Sequence, residues 1–254
     1  MDIDLKSYLD LKADEYNHPG FIPNDPICVP HLLSEKADIE ITGFLVATIA
    51  WGNRNSIIKN GMRLLELMNN EPFNFVMQAT DADIRELNFV HRTFNSIDLQ
   101  FFIRSLRRIY HEEGGLEEAF SHGNDVKEKI DNFRKRFLEI PHEKRSEKHL
   151  SSPVNGSAAK RINMYLRWMV RKDKRGVDFG LWSSVPPSEL VIPLDVHTGN
   201  VARELGLIKR KANDWRAVDE LMQSLRKFDP DDPAKYDFAL FGIGVNKDLS
   251  IEKF

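Results

Sequence analysis

Apolar residues recur along this chain at three- and four-residue intervals, and the two-residue alternation of strands is nearly absent. The segment 38–51, "DIEITGFLVATIAW", places Ile41, Phe44, Leu45, Thr48 and Ile49 at helical spacing and is apolar almost all round. That pattern predicts a central buried helix. "GNRN" ends it, and further helices are predicted over 2–16, 56–69, 81–90 and 96–114. The charged stretch 116–140 reads as one long amphipathic helix or a broken pair. After a polar loop at 141–157, helices are expected over 158–172, 197–206, 214–228 and 233–244. The fold class is therefore all-α. Four prolines in "HPGFIPNDPICVPHLL" mark an ordered or extended connector. Residues 1–37 thus read as an N-terminal helix and connector, and 38–254 as the main domain.

Composition narrows the class of protein. The chain has 254 residues, of which 41% are hydrophobic and 30% charged, which suits a globular domain. No apolar run approaches the roughly 20 residues that span a bilayer, so no membrane partner is expected. A single cysteine, Cys28, excludes an internal disulfide and a cysteine cluster. No secretory signal pattern opens the chain, so a cytoplasmic location is expected. The net charge of −3 means that any nucleic-acid surface must be local. Such a surface is suggested at 160–175, where seven basic residues, Arg171 and Lys172 among them, face one acid, Asp173. A solvated helix face gives the same pattern. The eight histidines include no His-Glu-x-x-His pair, so a metal site is not expected.

Three stretches carry candidate chemistry. In "SSPVNGSAAKRINMYLRWMVR", Asn155 and Gly156 make a turn and Ser157 is placed to cap the next helix. Lys160 falls near that helix's start, where a cation opposes the macrodipole. Either it points to solvent or it lies in a pocket, where a desolvated amine becomes a nucleophile. In "VIPLDVHTGN", Asp195 with Thr198 three residues on resembles a helix cap. A carboxylate fixed there can also stabilise positive charge developing on a substrate. In "DPDDPAKYDFALFGIG", Asp237 and Phe241 are four apart and share a helix face. They are either a core aromatic and an ion-pair partner, or a site for a planar, hydrogen-bonding ligand.

Together these stretches resemble the helix-hairpin-helix DNA glycosylase superfamily. "PLDVHTGNVARELGL" is similar to that family's Pro-x-Asp-Thr-His-Val…Arg-x-Leu-Gly-Leu segment through Pro193, Asp195, His197, Val201, Arg203, Leu205, Gly206 and Leu207. "KRINMYLRWMV" resembles the helix that carries the nucleophilic lysine of bifunctional members, and "FLVATIAWGNRNSI" the early helix that ends in a DNA-facing loop. The hairpin itself departs from the family pattern, being longer and keeping Gly156. The long separation of Lys160 from Asp195, the Asp237/Phe241 spacing and the absence of iron–sulfur cysteines resemble the archaeal 8-oxoguanine glycosylase branch. The whole looks like a bacterial family related to that branch.

The resemblance implies a two-lobed helical fold with a central cleft and a monomer acting on double-stranded DNA without a cofactor. It implies base excision, with Asp195 stabilising an oxocarbenium-like transition state and Lys160 forming an imine at the sugar. Asp237 and Phe241 would receive the extruded base, such as an oxidised purine. Asn53 and Arg54 would fill the gap left in the duplex. Asn155, Gly156 and Ser157 would hold a phosphate through the hairpin backbone, helped by Arg171 and Lys172. The alternative is a non-catalytic DNA-binding protein that keeps the glycosylase fold.

Overall fold

Helices with buried, interlocking faces make up nearly all regular structure in the computed structural model, which describes residues 4–247. The only strands among these residues are a two-residue antiparallel pair, Val90–His91 and Phe94–Asn95. The chain is all-α. No helix among the described residues is long and apolar enough to cross a membrane. The chain divides into two units. One is continuous, Ile22–Ser152; the other joins the chain through Phe21 to the chain from Pro153.

The first helix, α1 (Leu5–Tyr16), is capped by Asp4, whose side chain accepts from the Ser7 N–H. The continuous unit then holds α2 (Lys36–Thr48), α3 (Arg54–Leu67), α4 (Pro72–Gln78), α5 (Asp81–Glu86), the strand pair β1–β2, α6 (Ser96–Glu112), α7 (Leu116–Ala119) and α8 (Val126–Phe137). As the all-round apolar pattern predicts, α2 is buried at every position from Ile39 to Thr48. Its Phe44 ring lies 5.9 Å from Phe102 of α6 and 5.5 Å from Phe133 of α8. Aromatic pairs in such edge and offset arrangements add to the area they bury. The stretch predicted as one helix or two over 116–140 is broken, with Gly123 at φ +152 between α7 and α8. The end of the 81–90 prediction leaves the helix at Glu86 and enters β1.

Asp98 anchors this unit. It is fully buried, closes a capping box with Asn95 at the start of α6, and accepts from Ser146 Oγ at 2.6 Å and Arg145 at 2.9 Å. Burial alone would raise its pKa. The His149 ring beside it, 3.3 Å away, with the bonds from Ser146 and the Asn95 N–H, outweighs that and holds it at about 2.

The second unit returns with α9 (Lys160–Val170), α10 (Val196–Glu204), α11 (Trp215–Phe228) and α12 (Tyr236–Asn246). The last of these is the core helix, buried from Tyr236 through Leu240 and again at Gly242 and Ile243. Two glycines let neighbours approach its backbone. A Cβ at Gly242 would lie 2.1 Å from the Tyr16 ring of α1, and one at Gly244 would lie 3.1 Å from His197 Cβ of α10. In α11 the apolar stripe Trp215, Val218, Leu221, Met222 and Leu225 is buried, as its periodicity predicts.

The close approach at Gly242 gives a first test. Gly242→Ala should force the Tyr16 ring off α12 and cost about 1–3 kcal/mol, the usual range for overpacking. Urea unfolding checks it, and an unchanged midpoint would show that the Tyr16 ring is free to move.

Candidate active site

A buried extended segment, Leu190–Leu194, delivers Asp195 to the start of α10. The strand-like run in the sequence is therefore core, but it has no sheet partner among the described residues; the Ile192 N–H meets Met222 Sδ at 3.4 Å. Asp195 has extended backbone and caps the helix, with Oδ1 accepting from the Thr198 N–H at 2.9 Å. Its other oxygen, Oδ2, accepts from Lys160 Nζ at 2.9 Å. The cap and the ion pair thus use different oxygens of one carboxylate. Burial pushes the Asp195 carboxyl up, but the Lys160 charge and the Thr198 N–H pull harder, so it lies below its ordinary value. The Asp195 side chain is 12% exposed and that of Lys160 37%, so the amine keeps an open side.

Lys160 is the first residue of α9. Ser157 does not cap this helix, contrary to the expectation from sequence. The helix starts two residues later, after Ala159, which is buried and left-handed at φ +48 with no side-chain cap. Ser157 Oγ instead accepts from the Ala159 N–H at 3.1 Å. A non-glycine residue in this region is strained, and the surrounding bonds impose it. Asn163, one turn into α9, donates to the Ala158 carbonyl at 3.0 Å. Asn155, Gly156 and Ser157 are all exposed in the preceding loop.

Sequence reasoning missed the segment that ties these two loops together. Asn213 Nδ2 donates to the Asp195 carbonyl at 2.9 Å, and Arg203 donates in turn to Asn213 Oδ1. Asn213 fits because position 199 is glycine; a Cβ there would lie 2.7 Å from its side chain. Two residues on, the Trp215 N–H donates to the Gly156 carbonyl at 3.0 Å, and Ser157 pairs with Asp214 as an isolated antiparallel bridge. Asn213–Trp215 therefore clasps the Lys160 loop and the Asp195 loop at once. Only the Asn-Asp cap signal before α11 is visible in the sequence, and it says nothing of this distant pairing.

The remaining residues separate into those near the pair and those engaged elsewhere. Phe241 is half-buried, with its ring 6.5 Å from His197 and 6.4 Å from Phe21. Asp237 is buried and bonded to Arg167 of α9. Arg171 is not a surface cation. It is 3% exposed and held by Asp232, Asp173 and Asp178, while Arg167 also binds Asp178. A phosphate-binding role for Arg171 is thus corrected: a desolvated guanidinium must be paired, and these carboxylates pair it inside the fold. Lys172, next to it, is exposed. In the other unit, Asn53 caps α3 by accepting from the Ser56 N–H at 3.1 Å and is exposed, and Arg54 begins that helix.

The buried cluster has more carboxylates than guanidiniums, and this shows in Asp237. Burial pushes its carboxyl up to about 6; Arg167 opposes that, and the nearby Asp195 charge adds to it. The folded pKa lies above the unfolded one. Stability from this group is therefore present at low pH and lost as pH rises through about 6.

A family described as a protein of unknown function (DUF2400) has a model that matches residues 25–246, and the chain belongs to that family. No curated protein and no solved structure gives a significant match.

Two expectations follow from this geometry. Asn caps as well as Asp, and a part-exposed ion pair contributes about 0.2–1 kcal/mol. Asp195→Asn should therefore lower stability by less than about 1 kcal/mol, whereas Asp195→Ala loses the cap as well and should cost about 0.5–2 kcal/mol more. Chemical denaturation of both variants measures the difference. For Asp237→Asn, the unfolding free energy of variant minus wild type should grow as pH rises from about 5 to about 7.5. A difference that stays constant with pH would mean that Asp237 is ionised throughout.

Proposed function

We propose that this chain is a base-excision enzyme, a DNA glycosylase with abasic-site lyase activity and a helix-hairpin-helix glycosylase fold. The observation that carries the reading is the Lys160 Nζ–Asp195 Oδ2 pair at 2.9 Å, with the amine open on one side. The residues supply what the reaction needs. Breaking the N-glycosidic bond builds positive charge at the sugar, and Asp195, held below the ordinary carboxylate range, stays anionic to meet it. Water adds at C1′ as the base leaves with a proton, and the sugar ring opens to the aldehyde; the Lys160 amine, after giving up a proton, attacks that C1′, water leaves and an iminium forms. Loss of a C2′ proton then expels the 3′ phosphate. Asp195 Oδ2 is hydrogen-bonded to the amine and within reach of its proton.

Phe241 and His197, edge to face, offer the planar surface for an extruded base such as an oxidised purine. Asp237 bonds to Arg167, so its part in this reading is to hold α12 on α9 and thereby place Phe241. The substrate is double-stranded DNA, and no cofactor enters these steps.

Borohydride reduces an imine to a stable amine, so it tests the reading directly. Wild-type protein mixed with duplexes carrying oxidised purines or abasic sites should be trapped as a covalent adduct, and Lys160→Gln should not. Asp195→Asn should fold and bind yet excise at least about a hundredfold more slowly, the scale of losing one electrostatic stabiliser. An adduct with Lys160→Gln would transfer the role to another amine. No adduct and no excision across a panel of lesions would leave a DNA-binding module.

A further inference from the structure

The basic run at 160–175 is largely engaged within the protein: Arg167 and Arg171 are buried in the ionic cluster, Lys160 pairs with Asp195, and Arg175, though exposed, pairs with Asp14. A second run, "IKRKANDWR" at 208–216, does the opposite. Lys209, Lys211 and Arg216 are exposed, and none of the three is in an ion pair among the described residues. The backbone beneath them is fixed from two sides. Arg203 of α10 donates to the carbonyls of Arg210 at 2.9 Å and Lys211 at 2.8 Å. Glu220 of α11 accepts from the N–H groups of Lys209 at 2.8 Å and Arg210 at 3.3 Å. Arg210 itself is bound to Asp214, with Nε 2.7 Å from Oδ1. One arginine of the run therefore holds the loop's shape and the other cations point to water.

The loop's position gives this charge a meaning. It leads directly into Asn213, which bonds the Asp195 carbonyl, and Trp215, which bonds the Gly156 carbonyl. Two outward cations on a pre-ordered loop and a third, Arg216, in the first turn of α11, on a segment bonded to both halves of the Lys160–Asp195 site, suit a polyanion that runs past that site. We propose that segment 208–216, the loop and the first residues of α11, is the main phosphodiester-binding surface of this unit and grips the duplex DNA backbone beside the nucleotide presented to Lys160 and Asp195. This rests on the base-excision reading for the choice of DNA, but its binding test does not need catalysis.

The test is the salt dependence of binding by the full chain. The ligands are a labelled duplex with one tetrahydrofuran abasic analogue and the same duplex undamaged, between about 50 and about 200 mM salt. Each cation–phosphate pair removed should reduce the slope of log affinity against log salt by about 0.9. The triple variant Lys209→Gln, Lys211→Gln, Arg216→Gln should therefore lower the slope by about 2–3 on both duplexes. Lys172→Gln with Lys174→Gln should change it less. The charge-keeping set Lys209→Arg, Lys211→Arg, Arg216→Lys should keep the wild-type slope, which separates charge from folding. An unchanged slope in the Gln triple, no duplex binding by wild type, or tighter binding to an RNA duplex of the same sequence would overturn the proposal. Wild type that binds through this loop but is never trapped by borohydride and excises no lesion upholds it and removes the glycosylase. Wild type that is trapped while the Gln triple keeps its slope does the reverse.

Discussion

Two arginines one turn apart at the end of α9 are buried, and the unit that carries the candidate site is organised around their charge. Arg167 and Arg171 share Asp178, whose side chain is fully enclosed, and reach Asp237 and Asp232 on either side. Both guanidiniums also lie over the Phe238 ring, at 4.4 and 5.4 Å. An ion buried without its partner is destabilising by about 3–5 kcal/mol. Few arrangements of α9, α12 and the intervening chain satisfy all of these bonds together. The network therefore fixes the register of α9, and with it where Lys160 emerges at the helix start.

From that register the site follows by short steps. Asp195 is fixed by its own cap to Thr198 and by Asn213 through its carbonyl. Lys160 is placed by the strained turn at Ala159 and by the Ser157–Asp214 bridge just before it. The pair meets because the segment Asn213–Trp215 holds both loops, so little of its geometry depends on the modest strength of the ion pair itself. This is the usual requirement for charge stabilisation without reorganisation.

The parts legible in the sequence are those that obey local rules. The buried helix α2, the amphipathic α11 and the Asp195 cap each follow from spacing within one element. The parts that are not legible depend on distant chain. Arg171 reads as a surface cation until Asp178 and Asp232 are brought beside it. Ser157 has the chemistry of a cap but is drawn into pairing with Asp214, and the helix begins later. The seven-residue α4 escapes a reading by periodicity because "PFNFVMQ" is too short to show a period. Among the site residues, local pattern and family resemblance pick out Asp195 and Lys160, while Asn213 has no signal short of the folded chain.

The close packing of α1 on α12 has a consequence for how the chain assembles. The Tyr236 hydroxyl donates to Asp10 across 226 residues, and the Tyr16 ring sits on Gly242. During synthesis α1 leaves the ribosome long before its resting surface exists. The continuous segment 22–152 has all the residues of its own core by the time Ser152 is made. Closing the loop between α1 and α12 then carries an entropic cost that rises only as the logarithm of its length. The first helix is thus a late one to dock: a latch that closes the unit carrying Lys160 and Asp195 only once α12 has been made, following vectorial folding of the middle.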